Sequence, residues 1–278
     1  GVVAEEGADL TGKELEIAEG RRYDELYMDR GGRMTEDMSV SVLQGRALGG
    51  GGVVNASDVV PMTDALIDFW RRRFGLAELT PEALAPYRER ALSDLSASRI
   101  EERALNRGNQ LLRQGAEALG LRGEAMLHNR VGCQGLGQCL LGCPANAKRN
   151  PRFVSIPRAI RHDARFLLRA RAVRIEQARD ELKRITVRIL DPGGYREIGE
   201  FEVRAQVVIL AANAINTAQL LLRSGLGNEH VGRNLTLQPQ LPLLAEFEER
   251  LESFYGIPQA YAVTHFEEPC HEQHGLWG

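Results

Sequence analysis

At 278 residues the chain can bury a sizeable core, as one large domain or a domain with a smaller lobe at ~100 to 200 residues each. Its 43 % hydrophobic and 26 % charged residues, with a formal net charge of -3, give no basic excess for nucleic acid and no acidic tail. No apolar run approaches the roughly 18 residues of a membrane span, and Gly1-Val2-Val3-Ala4-Glu5-Glu6 is too short and acidic for a secretory signal, so the cytoplasm is the default location unless a preceding segment carries an export signal.

Val2 to Gly7 reads as a short buried strand that ends in carboxylates at a turn. In a nucleotide-binding α/β fold an acid in that place accepts hydrogen bonds from a ribose hydroxyl; the plain alternative is two solvated glutamates beside a loop. Residues 13–27 are helical in pattern and strongly charged, and Asp29-Arg30-Gly31-Gly32 stops them. Thr63 to Phe74 puts Leu66, Phe69, Trp70 and Phe74 at helical spacing, which predicts a packed helix. Thr80-Pro81 opens another, with an N-cap and a proline in the first turn, running past Leu84 and Tyr87 toward Leu95. Asn109 to Leu119 is a third, with Leu111, Leu112 and Leu119 on one side and Gly120 as its stop.

From residue 165 the pattern changes to short β runs at 165–168, 172–175, 185–190 and 201–204, with Pro192-Gly193-Gly194 as a hairpin turn. This predicts an antiparallel meander. Val207 to Leu210 is a continuous apolar run of the buried parallel-strand kind, leading through Ala211-Ala212-Asn213-Ala214 into a helix, Thr217 to Arg223. Small residues at such a crossover suit a nucleotide phosphate at the helix N-terminus.

The most distinctive stretch is Val42-Leu43-Gln44-Gly45-Arg46-Ala47-Leu48-Gly49-Gly50-Gly51-Gly52-Val53-Val54-Asn55. Four consecutive glycines put no side chain in the way of a flat or charged ligand, and they accept the positive φ of a tight turn. A flexible linker would have Ser- or Gly-rich flanks. These flanks are apolar, and Asn55 is placed where a buried loop can use it. A second feature is Cys133, Cys139 and Cys143, three of the four cysteines, with glycines between them and Pro144 after the last. Thiolates so close suit an iron–sulfur cluster, while buried or free thiols are the plain alternative. A disulfide conflicts with a cytosolic setting, and zinc would need a fourth ligand such as His128 or Cys270. Lys148-Arg149 reads as a solvated pair or as one facing an anion beside this loop. His128 and His162 read as surface or hydrogen-bonded residues, and residues 270–274 as a solvated tail.

Four of these segments, in order, resemble the FAD-binding part of the glucose/methanol/choline (GMC) flavoprotein oxidoreductases. The likeness runs from Gly1 to about Phe266. It implies that Glu5 is the ribose-binding acid and that Gly45, Arg46, Gly49, Gly50, Gly51 and Asn55 belong to the loop lying along the pyrophosphate and isoalloxazine. It also implies that the main chain at Val173 meets the adenine, and that Ala212 belongs to the second family signature, Val208 to Gly225 with Val231 to Leu235. The cysteine segment is similar to that of GMC-type sugar dehydrogenase subunits, where a three-iron cluster passes electrons to a cytochrome. Asn213 stands where the family usually has glycine, and Gln238 before Pro239 where it commonly has histidine. The family's first phosphate turn is expected before Gly1 and its catalytic histidine, with a companion His or Asn, beyond Gly278, so no catalytic residue is assigned.

The resulting expectation is an α/β fold: a Rossmann-like FAD-binding domain over residues 1–240, with helical and Cys-rich insertions at about 63–162 and an antiparallel β-meander, then the start of a substrate-domain sheet over 241–278. The implied activity is FAD-dependent oxidation of a CH–OH group on a small-molecule alcohol, sterol or sugar, with hydride transfer to flavin N5. Two alternatives are a dehydrogenase that relays electrons through a cluster to an acceptor protein, and a non-catalytic flavin-binding module.

Overall fold

The computed structural model describes residues 1–177, 182–237 and 240–266. Its helices are α1 (Glu19–Leu26), α2 (Gly51–Val54), α3 (Asp64–Phe74), α4 (Pro81–Asp94), α5 (Arg107–Ala118), α6 (Ser155–Arg161) and α7 (Asn213–Arg223). Its strands are β1 (Val2–Ala4), β2 (Asp58–Val59), β3 (Ser98–Arg99), β4 (Gly123–Ala125), β5 (Leu127–His128), β6 (Arg165–Leu167), β7 (Ala170–Gln177), β8 (Lys183–Leu190), β9 (Glu197–Ala205) and β10 (Tyr261–Val263). The chain divides into two compact units. The first holds Gly1–Leu10, Asp24–Leu48 and Ala159–Glu246; the second holds Thr11–Tyr23, Gly49–Arg158 and the chain from Phe247.

In the first unit β7, β8 and β9 form a three-stranded antiparallel sheet whose β8–β9 turn is Pro192-Gly193-Gly194. Ile185 and Val187 on β8 lie opposite Val203 and Phe201 on β9. They join Ala170, Ile175 and Leu220 of α7 in one apolar cluster. Burial of each Val, Ile or Leu side chain in this cluster contributes about 1.5–3 kcal/mol.

The run at 165–168 is not part of this meander. β6 pairs in parallel with β1, Val3 opposite Phe166. Period-two patterning marks a strand without naming its partner, and main-chain bonds from Glu5 to Leu167 (2.8 Å) and from Ala170 to Glu5 (2.9 Å) decide the pairing. β1 is a strand as expected, yet Val2 and Val3 are 46 % and 42 % exposed.

Val207 to Leu210 is not a strand. Val208 and Leu210 pack on the sheet cluster while Val207 and Ile209 are exposed, and no neighbour pairs with the run among the described residues. A parallel strand needs such a neighbour for its main-chain groups. Among the described residues from Leu241 onward the strand is β10, paired antiparallel with β4.

The second unit carries α3, α4 and α5, each with a side-chain cap. Thr63 accepts from Leu66 N at 3.2 Å, Thr80 from Ala83 N at 3.2 Å, and Asn106 from Asn109 N at 3.0 Å. A cap of this kind is worth ~0.5–2 kcal/mol. Along α3 the buried pair is Leu66 and Ile67, and Phe74 lies exposed. On α5 the buried residues are Asn109 and Ala116, with Leu112 and Leu119 exposed. Asn109 displaces the leucines because its amide completes main-chain bonds of another segment. Its Oδ1 accepts from Ala260 N and Tyr261 N, both at 3.0 Å, and its Nδ2 donates to Ile257 O at 3.2 Å. Ile100, Leu105, Ile257 and Ala260 form the core beside it. Residues 13–27, expected as one helix, break into a 3-10 turn at Gly12–Leu15 and α1. Among the described residues no helix is long and apolar enough to cross a membrane. Gln238, Pro239 and residues 270–274 lie outside the described residues.

Candidate functional site

In the first unit Glu5 follows β1. Its Oε1 accepts from Gly7 N at 2.7 Å, and burial holds its carboxyl above the ordinary range. Gly7 is required because the segment at 45–48 crosses it: a Cβ there would sit 2.5 Å from the Ala47 main chain. That segment is bonded on both sides, Arg46 N to Leu26 O at 2.7 Å and Leu48 N to Ala8 O at 2.9 Å, and Gly45 bridges Tyr27. The Arg46 side chain is buried. It donates from Nη1 to Gly194 O (2.8 Å) and from Nη2 to Asp24 O (2.9 Å), and stacks on the Tyr195 ring at 4.5 Å.

Val173 lies at a bulge. The register of β7 on β8 shifts between Ala172 and Arg174, which leaves Val173 without a register partner. Ala212 is the N-cap of α7 and is exposed, with its N–H donated to Thr217 Oγ1 at 3.1 Å. Asn213 takes φ +72, the left-handed conformation in which asparagine substitutes for glycine. Leu210, Ala211, Asn213, Thr217 and Val231 line a hollow of about 520 Å³ at this helix start.

In the second unit the glycines divide into two pairs. A Cβ on Gly49 would lie 3.1 Å from Arg152 N, and one on Gly52 would lie 2.5 Å from Pro151 Cδ. These two are glycines because the chain at 150–152 packs on them. Gly50, at φ +58, and Gly51 have nothing within 4 Å. Their face is free of side chains and open. Asn55 ends α2, exposed, with its Oδ1 accepting from Ser57 N at 3.2 Å.

Behind this turn lies a buried polar group, whereas the sequence leaves Lys148 as a solvated or anion-facing residue and His128 as a surface or hydrogen-bonded one. Lys148 is 2 % exposed and donates to the carbonyls of Val53 (2.9 Å), Asn55 (2.5 Å) and Cys139 (2.9 Å). Burial lowers its pKa to about 8. His128 is fully buried on β5, and its Nε2 lies 2.7 Å from Asp58 Oδ1 but outside hydrogen-bonding geometry, so these atoms remain unpartnered. Burial pushes Asp58 up to about 6, opposed by the charges of Arg130 and Lys148. No local pattern marks Lys148 or His128 as buried. The signal is non-local, in the pairing of residues 129–131 with 147–149.

Cys133 is exposed, Cys139 and Cys143 are half-buried, and all three are free thiols. Burial holds the Cys139 thiol above its ordinary range. Ala147 N donates to Cys143 Sγ at 3.4 Å, and Arg130 Nη1 reaches Cys133 Sγ at 3.5 Å. Among the described residues no three His, Cys, Asp or Glu side chains gather to hold a metal ion.

A family model described as GMC oxidoreductase matches residues 23–240. The chain belongs to the GMC oxidoreductase family. An uncharacterized GMC-type oxidoreductase of Mycobacterium tuberculosis (strain H37Rv) is 34% identical over 270 residues, which cover 96% of this chain and 42% of that protein. A long-chain-alcohol oxidase of Arabidopsis thaliana is 29% identical over 269 residues, 92% of this chain and 35% of the oxidase. This chain therefore spans less than half the length of these GMC relatives. Among solved structures, the pyridoxine 4-oxidase from Mesorbium loti superposes with a TM-score of 0.55 at 15% identity, covering 81% of this chain and 47% of that one. That likeness is one of fold.

Proposed function

We propose that this chain is the FAD-binding part of a GMC oxidoreductase that oxidises the CH–OH group of a small-molecule alcohol, sterol or sugar. The observation that carries the reading is the division of the glycines. Gly49 and Gly52 are closed by the protein's own chain, whereas Gly50 and Gly51 present bare main chain to open space.

Taken separately, each unit carries residues suited to part of a flat anionic dinucleotide. In the first unit Glu5 is proposed to accept from a ribose hydroxyl, sharing with the Gly7 amide a carboxyl that burial partly desolvates. Val173 is proposed to meet the adenine through its main chain, at the bulge where the register of β7 on β8 shifts. Ala212 stands exposed at the N-terminus of an eleven-residue helix with its own N–H held by Thr217, so it is proposed to serve a phosphate at this helix start by its small size rather than as a donor. Gly45 and Arg46 are proposed to act by holding the 45–48 segment in place, because both terminal nitrogens of Arg46 already donate to Gly194 O and Asp24 O. In the second unit Gly49 sets the turn, Gly50 and Gly51 allow close approach of a ring system, and Asn55 sits at its end.

FAD, when bound, supplies the acceptor for a hydride from the donor carbon. The chain's own contribution is to bind, orient and exclude water from one face. No described residue is proposed to take the hydroxyl proton.

The test is anaerobic reduction of the FAD-loaded full-length protein by a panel of long-chain and short primary alcohols, sterols and sugars. Bleaching of the visible flavin band by one class supports the reading and names the substrate. FAD bound but reduced by none of them would leave a flavin-binding module.

A further inference from the structure

A single-turn helix that begins with two glycines cannot order itself. Glycine costs roughly 1 kcal/mol relative to alanine in a helix, and isolated helices below ~12–15 residues are marginal in water. Yet α2, only four residues long, carries the open face of the turn and leads directly into Asn55. Its last carbonyls are orphaned by construction and need a donor.

Lys148 is that donor. A lysine ammonium has three N–H groups, and here all three go to main-chain carbonyls: Val53 and Asn55 at the end of α2, and Cys139 in the cysteine loop. Burying an ammonium costs several kcal/mol unless its donors are satisfied, so the contact is committed in both directions. The lysine is held in place by its own backbone, with Val131 N donating to Ala147 O (2.8 Å) and Arg149 N to Asn129 O (2.7 Å). The same stretch then closes on the turn through Pro151 and Arg152.

We propose that Lys148 is a positioning residue: by fixing the Val53 and Asn55 carbonyls against the cysteine loop, it holds Gly50, Gly51 and Asn55 in the orientation that accepts the flavin. The ligand rests on the FAD reading above, whereas the clamp rests on contacts within the second unit. It also gives the cysteine loop a role that requires no metal, since the group that Lys148 uses there is a backbone carbonyl.

The probe is FAD itself, titrated into full-length wild type, Lys148→Met and, as a control for general destabilisation, Ile257→Ala in the core of the same unit. All are measured well below their unfolding temperatures, together with amide hydrogen exchange at residues 53–55. Lys148→Met is expected to weaken FAD binding by about tenfold or more and to speed exchange at these amides. Ile257→Ala should leave both within about twofold, even with an equal or greater loss of thermal stability. Lys148→Met binding FAD as wild type does, or Ile257→Ala weakening it equally, would overturn the proposal. Should Lys148→Met fail to fold, Lys148→Arg carries the same comparison, because a planar fork cannot meet three converging carbonyls; about fivefold weakening is expected, and wild-type affinity would be the contrary result. If wild type binds no FAD, the functional reading falls. The clamp itself is then upheld or refuted by the exchange at residues 53–55 alone.

Discussion

Gly52 lies so close to Pro151 that a Cβ on the glycine would stand 2.5 Å from the proline Cδ, whereas a Cβ on its neighbour Gly51 would meet nothing within 4 Å. Adjacent glycines thus do different work. Gly52→Ala forces two segments apart and should cost about 1–3 kcal/mol of stability. Gly51→Ala should leave stability within about 0.5 kcal/mol. Urea unfolding of the two variants checks this contrast. Equal losses would mean that the turn is not packed as described.

Asn213 occupies the left-handed region at φ +72 as α7 begins. Asn213→Gly should change stability by no more than about 0.5 kcal/mol, while Asn213→Val should cost about 1–3 kcal/mol through backbone strain. Thermal melts of both variants decide the point.

Asp58 faces His128, Arg130 and Lys148, and burial raises its pKa to about 6. A carboxyl that holds its proton more tightly when folded gives up stability as pH climbs from about 4 through 6. Wild type should therefore lose on the order of 1–3 kcal/mol across that interval from this group, and Asp58→Asn should not. The difference between variant and wild type, followed by urea midpoints from pH 4.5 to 7.5, should move in favour of the variant as pH rises. Movement in the opposite direction would show that Asp58 and a protonated His128 form a stabilising ion pair.

Arg46 is buried with donors on Gly194 O and Asp24 O and its guanidinium on the Tyr195 ring. Arg46→Ala should cost about 2–4 kcal/mol and Arg46→Lys more than half as much, because a point charge recovers neither the fork nor the stacking. A loss below about 0.5 kcal/mol in urea unfolding of Arg46→Ala would remove the architectural role.

The capped helices were legible because their signals are local. Thr63, and Thr80 with Pro81, each act within one turn of the residue that reads them. What could not be read was partnership. Arg165–Leu167 has the same alternation as the meander strands yet pairs with β1, and Val207–Leu210 has the apolar run of a parallel strand without a neighbour, among the described residues, to complete one. The glycine run marked a candidate site, but which glycines are open depends on Pro151 and Arg152, about a hundred residues downstream. Lys148 escaped for the same reason: its carbonyl partners at Val53 and Asn55 are distant in sequence, and a lysine beside an arginine looks solvated in any window.

The most direct measurement is FAD binding by full-length wild type against Gly51→Val, with unfolding temperatures recorded for both. Gly51 has room for a side chain in the protein alone, so the variant should fold normally and lose its FAD, the β-branched group filling the space that the ring system requires. A Gly51→Val protein that retains FAD with wild-type affinity, or a wild type that binds none, would contradict a flavin at this turn.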